Sequence, residues 1–130
     1  MVLSTSMSNR IVSVALKYVG RSFDYEKFNC VHFVRDVYSN AGIELPLIRR
    51  DDYPPTDFHL SADKFDSMPI GHSVFLKRKT SLSTRPWTHI AIIISSYELI
   101  HCSRHCGKGV VITSKIVFME TYALVLKPSA

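Results

Sequence analysis

Apolar residues recur at helical spacing in two stretches of the first third of the chain. Residues 8–19 carry one apolar stripe, and Ser8 is a suitable N-cap for it. Residues 30–41 carry a cleaner stripe, with Asn29 as N-cap and Gly42 in the position that follows a helix end. Its apolar positions keep the i, i+3, i+4 spacing: Cys30, Phe33, Val34, Val37, Tyr38 and Ala41. The pattern therefore predicts two N-terminal helices.

The pattern changes to strands after an irregular stretch at residues 47–71, in which a short helix is predicted near residues 61–65. The predicted strands cover residues 73–78, 89–95, 97–102, 110–113 and 122–127. Residues 89–95 are apolar on both faces, which is typical of a central strand. Helices followed by strands indicate an α+β fold, in which the N-terminal helices pack on a mostly antiparallel β-sheet. We expect one domain over residues 1–130.

The composition indicates a globular protein and limits its partners. Hydrophobic residues make up 46% of the chain, and no apolar run reaches the roughly 18 residues of a transmembrane helix. The net charge is +5, with basic residues at 77–79 and at Arg85 around a predicted loop. This loop either attracts a polyanion or only keeps the surface soluble. The chain shows no nucleic-acid-binding motif, so no nucleic-acid partner is expected.

Cys30 and two histidines are the candidate catalytic residues. Cys30 opens the second predicted helix, where unpaired backbone N–H groups and the helix dipole stabilise a thiolate. His89 opens the predicted central strand, which is a rigid support for a base. His101 comes near the end of the next strand and would lie beside His89 if the two strands form a hairpin, where it could orient that base. The residues alone also allow a buried structural cysteine and satisfied core histidines.

Metal binding is an alternative for the segment at residues 101–106. It holds two histidines and two cysteines, Cys102 and Cys106, which are residue types that bind zinc. Structural zinc sites usually draw ligands from two separated pairs, whereas these four residues lie together, so neither a metal nor a cofactor is predicted. The odd total of three cysteines speaks against a disulfide framework.

Taken together, these motifs resemble those of the NlpC family of cell-wall cysteine peptidases. Residues 29–34 (Asn-Cys-Val-His-Phe-Val) resemble the family's Asp-Cys-Ser-Gly-Phe-Val, and residues 71–76 (Gly-His-Ser-Val-Phe-Leu) its Gly-Asp-Leu-Val-Phe-Phe strand. Residues 89–92 (His-Ile-Ala-Ile) are similar to its His-Val-Gly-Ile, and residues 100–102 (Ile-His-Cys) to its Ile-His-Ala. The resemblance covers about residues 10–127.

This resemblance implies a papain-like, NlpC-type domain with a Cys-His-His triad. Cys30 would attack an amide carbonyl, His89 would activate the thiol and later protonate the leaving amine, and His101 would orient His89. The implied substrate is the peptide stem of bacterial peptidoglycan, which the family cuts between D-glutamate and a diamino acid.

Four further residues are predicted to bind the substrate: Tyr25, Asn29, Val31 and Trp87. The family commonly has Asp before the Cys and Ser after it, and both help to bind the free amine of the stem peptide. Here these positions hold Asn29 and Val31. The family's tyrosine ahead of the Cys aligns with Phe23, for which Tyr25 could substitute.

Two other functions stay open. Residues 29–34 also resemble the Asn-Cys-Glu-His-Phe-Val of the lecithin:retinol acyltransferase family, which implies acyl chemistry on lipids, although no His precedes Cys30 as it does there. An inactive module that binds wall peptides is the third function. The first twenty residues lack the features of a Sec signal peptide. A wall enzyme of this kind is expected to reach the wall or periplasm from the cytoplasm through a phage particle or a secretion machine, with delivery machinery and an immunity or inhibitor protein as further partners.

Overall fold

The N-terminal part of the protein consists of two helices. The computed structural model describes residues 3–45, 69–104 and 108–125. Helix α1 spans Thr5–Leu16 and helix α2 spans Cys30–Asn40. Helix α1 begins three residues before the predicted start because the Ser4 side chain accepts a hydrogen bond from the Met7 N–H at 3.1 Å and caps the helix there. Helix α2 begins at the predicted residue.

The second half forms one antiparallel sheet of five strands. They are β1 (Ser73–Arg78), β2 (His89–Ile93), β3 (Glu98–Ser103), β4 (Gly109–Ser114) and β5 (Tyr122–Leu124). The order across the sheet is β4-β3-β2-β1-β5, and each neighbouring pair is antiparallel. The α+β prediction is therefore confirmed, and the strand that is apolar on both faces occupies the centre of the sheet.

A third helix, α3 (Lys115–Thr121), lies between β4 and β5, where no helix was predicted. Ser114 caps it by accepting a hydrogen bond from the Val117 N–H. Only Lys115 and Phe118 of this helix are buried, whereas Ile116 is 79% exposed. Its apolar residues therefore do not form the single stripe from which a helix is normally recognised, and the pattern predicts no element between the strands at residues 110–113 and 122–127.

Alternate residues of the strands pack into two clusters on opposite faces of the sheet. Helices α1 and α2 cover the first face, where their buried residues meet the strand residues Phe75, Ile90, Ile92, Ile100, Cys102 and Val110. Phe118 of α3 covers the second face and packs with Val74, Leu76, Ala91, Ile93, Leu99 and Tyr122. Burial on both faces makes the central strands a rigid support for any side chain at their ends.

The loop between α1 and α2 is held against the first residues of strand β4. The Gly20 N–H donates to the Val110 carbonyl at 3.0 Å, and the Val110 N–H donates to the Arg21 carbonyl at 2.9 Å. A side chain at Gly109 would collide with the Arg21 carbonyl, so this close approach requires glycine. The loop that leads to α2 is thereby fixed to the sheet.

Two predictions fall outside the described residues: the short helix near residues 61–65 and the end of the last strand beyond residue 125. Within the described part of the chain, none of the helices has the length and apolar character needed to cross a membrane.

Candidate active site

Cys30 is the first residue of α2 and therefore lies at the positive end of the helix dipole. The Asn29 side-chain oxygen accepts hydrogen bonds from the N–H groups of Val31 at 2.9 Å and His32 at 3.1 Å. His32 Nδ1 in turn accepts from the Asn29 N–H at 3.2 Å, which completes a reciprocal capping box. These contacts fix the first turn of the helix, and with it the backbone of Cys30.

The two candidate histidines are joined by a direct hydrogen bond. Strands β2 and β3 form a hairpin in which Ile92 pairs with Ile100, and His89 Nε2 lies 2.9 Å from His101 Nδ1. Both rings are buried. His89 also stacks on the ring of Tyr122, with ring centroids 5.0 Å apart. The stacking and the hydrogen bond together leave His89 little freedom to turn.

His101 makes a second hydrogen bond on its far side. Its Nε2 atom lies 2.8 Å from Thr113 Oγ1 on β4, and burial lowers the pKa of His101 to about 4. His101 is therefore neutral near pH 7, with one ring nitrogen that donates and one that accepts. It is placed between His89 and Thr113 in a chain of three side chains from three neighbouring strands.

Cys30 and His89 line the same cleft, which has a volume of about 310 Å³. They approach it from different directions. Cys30 packs with the cluster on the α2 face of the sheet, whereas His89 and His101 contact Phe118 on the other face. The cleft lies at the end of the sheet where β2 begins with His89. Cys30 and His89 therefore line one cleft although their side chains pack on different faces of the sheet.

The residues predicted to bind substrate have different surroundings. Tyr25 is 60% exposed and lines the cleft. Asn29 is engaged in helix capping, and its amide nitrogen donates to the Tyr25 carbonyl at 3.0 Å. Val31 is partly buried against the core. Trp87 is completely buried and packs edge-on against Phe75, so the structure places it in the core and gives no support to a binding role for its side chain.

Several residues of the site were not singled out from the sequence as site residues. Thr113 reaches His101 from β4, and Arg78 and Arg104 line the cleft together with Cys30 and His89. Thr113 can reach His101 because β4 pairs with β3 in a register that places His101 opposite Val111, two residues before Thr113. The sequence does not reveal this register, so Thr113 could not be predicted.

Cys102 also lines the cleft and lies close to Cys30. Its Sγ atom is 3.6 Å from the Phe28 carbonyl. Burial, reinforced by the neighbouring Cys30 and opposed by Arg21, raises the pKa of the Cys102 thiol to about 12. Cys102 is thus a protonated thiol at neutral pH.

The metal alternative concerns a segment that is only partly described. His101 and Cys102 point to different faces of β3, while residues 105–107 lie outside the described part of the chain. Over residues 3–45, 69–104 and 108–125, no group of three or more His, Cys, Asp or Glu side chains is arranged to hold a metal ion.

The fold and the cleft together describe an α+β protein in which a cysteine at a helix start and a histidine at a strand start line one cleft. Solved structures of the NlpC/P60 type share this fold. A lipoprotein-like protein of the NLP/P60 family from Staphylococcus aureus subsp. aureus Mu50 matches 98% of the chain with a TM-score of 0.68 and 21% identity. An NlpC/P60 family protein from Bacillus cereus ATCC 10987 matches 92% with a TM-score of 0.68 and 20% identity.

These likenesses confirm the predicted NlpC-type fold. The chain spans 44% and 39% of the lengths of these two proteins. Comparison with protein-family models and with curated proteins gives no match.

Proposed function

We propose that the protein is a cysteine hydrolase that cleaves an amide bond in the peptide stem of bacterial peptidoglycan. The observation that carries this proposal is the 2.9 Å contact between His89 Nε2 and His101 Nδ1, made by a histidine that lines one cleft with Cys30. A helix-start cysteine, a base and a group that orients the base are the three parts of a nucleophilic triad. The NlpC/P60-type fold supports the same assignment.

The proposed reaction begins at Cys30. His89 Nδ1 takes the thiol proton, and the sulfur attacks the carbonyl carbon of the substrate to give a tetrahedral oxyanion. The backbone N–H of Cys30 stabilises that oxyanion. The intermediate collapses to a thioester as the amine leaves with the proton from His89. Water then attacks the thioester and gives a proton to His89, and collapse releases the carboxylic acid and restores the Cys30 thiol.

His101 acts in this scheme through its protonation state. If Nδ1 of His89 is the base, Nε2 of His89 carries a proton and donates it to His101 Nδ1. His101 then carries its own proton on Nε2 and donates it to Thr113 Oγ1, at the observed 2.8 Å. The low pKa of His101 keeps this ring from taking the proton of the His89 imidazolium. His101 is therefore a positioning residue, and Thr113 Oγ1 accepts the proton that this tautomer carries on Nε2.

A peptide-stem substrate places the action at the cell wall or in the periplasm. Delivery by a phage particle or a secretion machine, and an immunity or inhibitor protein as a partner, stay predictions from the sequence. An acyl reaction on lipids is the second candidate, because the motif at residues 29–34 also suits it, and the experiment includes it.

The test is mass spectrometry of peptidoglycan fragments and of phospholipid vesicles after incubation with the protein. We expect new peptide termini with the wild-type chain and none with Cys30→Ala. Ser13→Ala, at an exposed position of α1, is the matched control and should behave as wild type. Release of fatty acid instead of peptide, lost in Cys30→Ala, would replace the peptidase with a lipid acyl hydrolase.

A further inference from the structure

Two cysteines reach the candidate active site from different elements. Cys30 begins α2, Cys102 lies on β3, and both line the same cleft as reduced cysteines. Both also belong to the core cluster on the α2 face of the sheet. The Cys102 Sγ atom lies 3.6 Å from the Phe28 carbonyl oxygen, so it contacts the backbone two residues before Cys30. The second thiol is therefore held beside the chain segment that carries the first.

The two thiols differ in reactivity. Cys30 lies at the positive end of the α2 dipole, which favours the thiolate that reacts with oxidants. Cys102 is completely buried, and burial, reinforced by the neighbouring Cys30 and opposed by Arg21, raises its pKa to about 12. An oxidant that enters the cleft is therefore expected to react with Cys30 first.

The charge on Cys30 also controls when Cys102 can react. A Cys30 thiolate disfavours a second negative charge on Cys102, and this effect ends once Cys30 is oxidised to an uncharged sulfenic acid. Arg21 favours the Cys102 thiolate, and its guanidinium carbon is held 3.8 Å from the centre of the Phe28 ring. Oxidation of Cys30 thus makes Cys102 a better nucleophile toward it.

We propose that Cys30 and Cys102 form a redox switch, in which a hydroperoxide converts them to a disulfide and blocks the nucleophile. The Cys30 thiolate attacks a peroxide oxygen, so an S–O bond forms, the O–O bond breaks and, for hydrogen peroxide, hydroxide leaves. The Cys102 sulfur then attacks the Cys30 sulfur, so an S–S bond forms, the S–O bond breaks, and the departing hydroxide takes the Cys102 proton as water. Two equivalents of a small thiol restore both cysteines by exchange and become a disulfide themselves.

The first test needs no substrate. The folded protein is treated with hydrogen peroxide, the remaining thiols are blocked with N-ethylmaleimide, and the unreduced tryptic peptides are analysed by mass spectrometry. Trypsin cuts after Arg104, which separates Cys102 from Cys106. We expect the peptide that contains Cys30 to be linked to the peptide that ends at Arg104, with the loss of two hydrogens, and to be released by dithiothreitol.

The controls separate this pair from other disulfides. In denaturant, the short intervening loop should favour a bond between Cys102 and Cys106, so a bond from Cys30 to Cys102 reports the fold. Cys106→Ser should give the same linked peptide in the folded protein. A folded protein that mainly links Cys106 to either cysteine, or that oxidises Cys30 without any disulfide, would overturn the proposal.

The Cys30 sulfenic acid can also be followed directly with dimedone, which labels sulfenic acids. We expect at least about fivefold more labelling in Cys102→Ala than in wild type, because no thiol consumes the intermediate, and then conversion to sulfinic acid. Arg21→Gln should slow disulfide formation about three- to tenfold, whereas Arg10→Gln, at an exposed position of α1, should leave its rate unchanged. Equal labelling of wild type and Cys102→Ala would contradict the proposal, and the denaturant comparison needs neither variant to fold.

Cleavage of stem peptides connects the switch to the proposed hydrolase function, on which its effect on activity rests. We expect peroxide to reduce cleavage by wild type at least about tenfold, dithiothreitol to restore it, and Cys102→Ala to recover little after the same exposure. If the disulfide forms but the reduced protein cuts no stem peptide, the hydrolase function fails and the redox pair remains. If the reduced protein cuts the peptide but forms no disulfide, or if the disulfide-linked protein stays active, the switch alone is wrong.

Discussion

His89 and His101 are diagonal neighbours on β2 and β3, and their rings meet almost at right angles with Nε2 of one 2.9 Å from Nδ1 of the other. This bond occupies the side of the His89 ring that faces across the sheet. The other ring nitrogen, Nδ1, is therefore the atom that has to serve as the base toward Cys30 in the proposed reaction.

The first prediction concerns the nucleophile. Cys30→Ala should reduce hydrolysis by at least about 10³-fold, because no thioester can form without the sulfur. The helix should remain, since Asn29 still caps it, and far-UV circular dichroism should match wild type. Substantial cleavage by a well-folded Cys30→Ala protein would remove Cys30 from the mechanism.

The second prediction concerns stability and pH. Burial lowers the pKa of His101 from 6.5 to about 4, so between these values the unfolded chain binds a proton that the folded chain does not. Stability should therefore fall as the pH drops from 6.5 toward 4, by about 3 kcal/mol in total from this residue. Urea unfolding of wild type and His101→Gln at pH 7, 5.5 and 4.5 measures the difference. Equal pH dependence of the two proteins would show that His101 is not the titrating group.

The helix and strand pattern could be predicted from the sequence wherever one face of an element is buried. Helix α2 has a complete apolar stripe and a capping residue, and its start at Cys30 was predicted correctly. Helix α3 was missed because its apolar residues point largely to solvent, and Phe118 alone anchors it to the sheet cluster. Its formation depends on the Ser114 cap and on tertiary packing, which the local pattern does not encode.

In the candidate site, too, local features could be predicted from the sequence, whereas contacts that depend on the tertiary structure could not. A cysteine at a helix start and a histidine at a strand start are local features, and the family resemblance placed both. The contact from His101 to Thr113 depends on the register of β3 against β4, and the approach of Arg104 to the cleft depends on the path of the chain after β3. Trp87 precedes the His89 strand in sequence but turns into the core, where it packs on Phe75.

The third prediction concerns Thr113. Thr113→Val keeps the shape but removes the hydroxyl that pairs with His101 Nε2, so in the proposed scheme the buried Nε2–H of His101 loses its acceptor and this tautomer is destabilised. We expect kcat to fall about tenfold with KM little changed, and Thr113→Ser to restore most of the activity. Nitrogen-15 chemical shifts of the His101 ring distinguish its tautomers directly. Unchanged shifts in Thr113→Val together with a lower kcat would assign Thr113 a role other than stabilising this tautomer.

The last prediction separates the two roles open to Asn29, which was predicted to bind substrate and is engaged in capping α2. If its role is the cap, Asn29→Ala should cost about 1 kcal/mol, a loss of about 3–5 °C in Tm, and should slow alkylation of Cys30 because the first turn frays. Asn29→Ser should restore both, since a serine hydroxyl can accept the same Val31 and His32 N–H groups. Both variants lose the amide that contacts the Tyr25 carbonyl, so any effect of that contact appears in both. A normal Tm and alkylation rate in Asn29→Ser, combined with a KM raised about tenfold, would instead make the Asn29 amide part of substrate recognition.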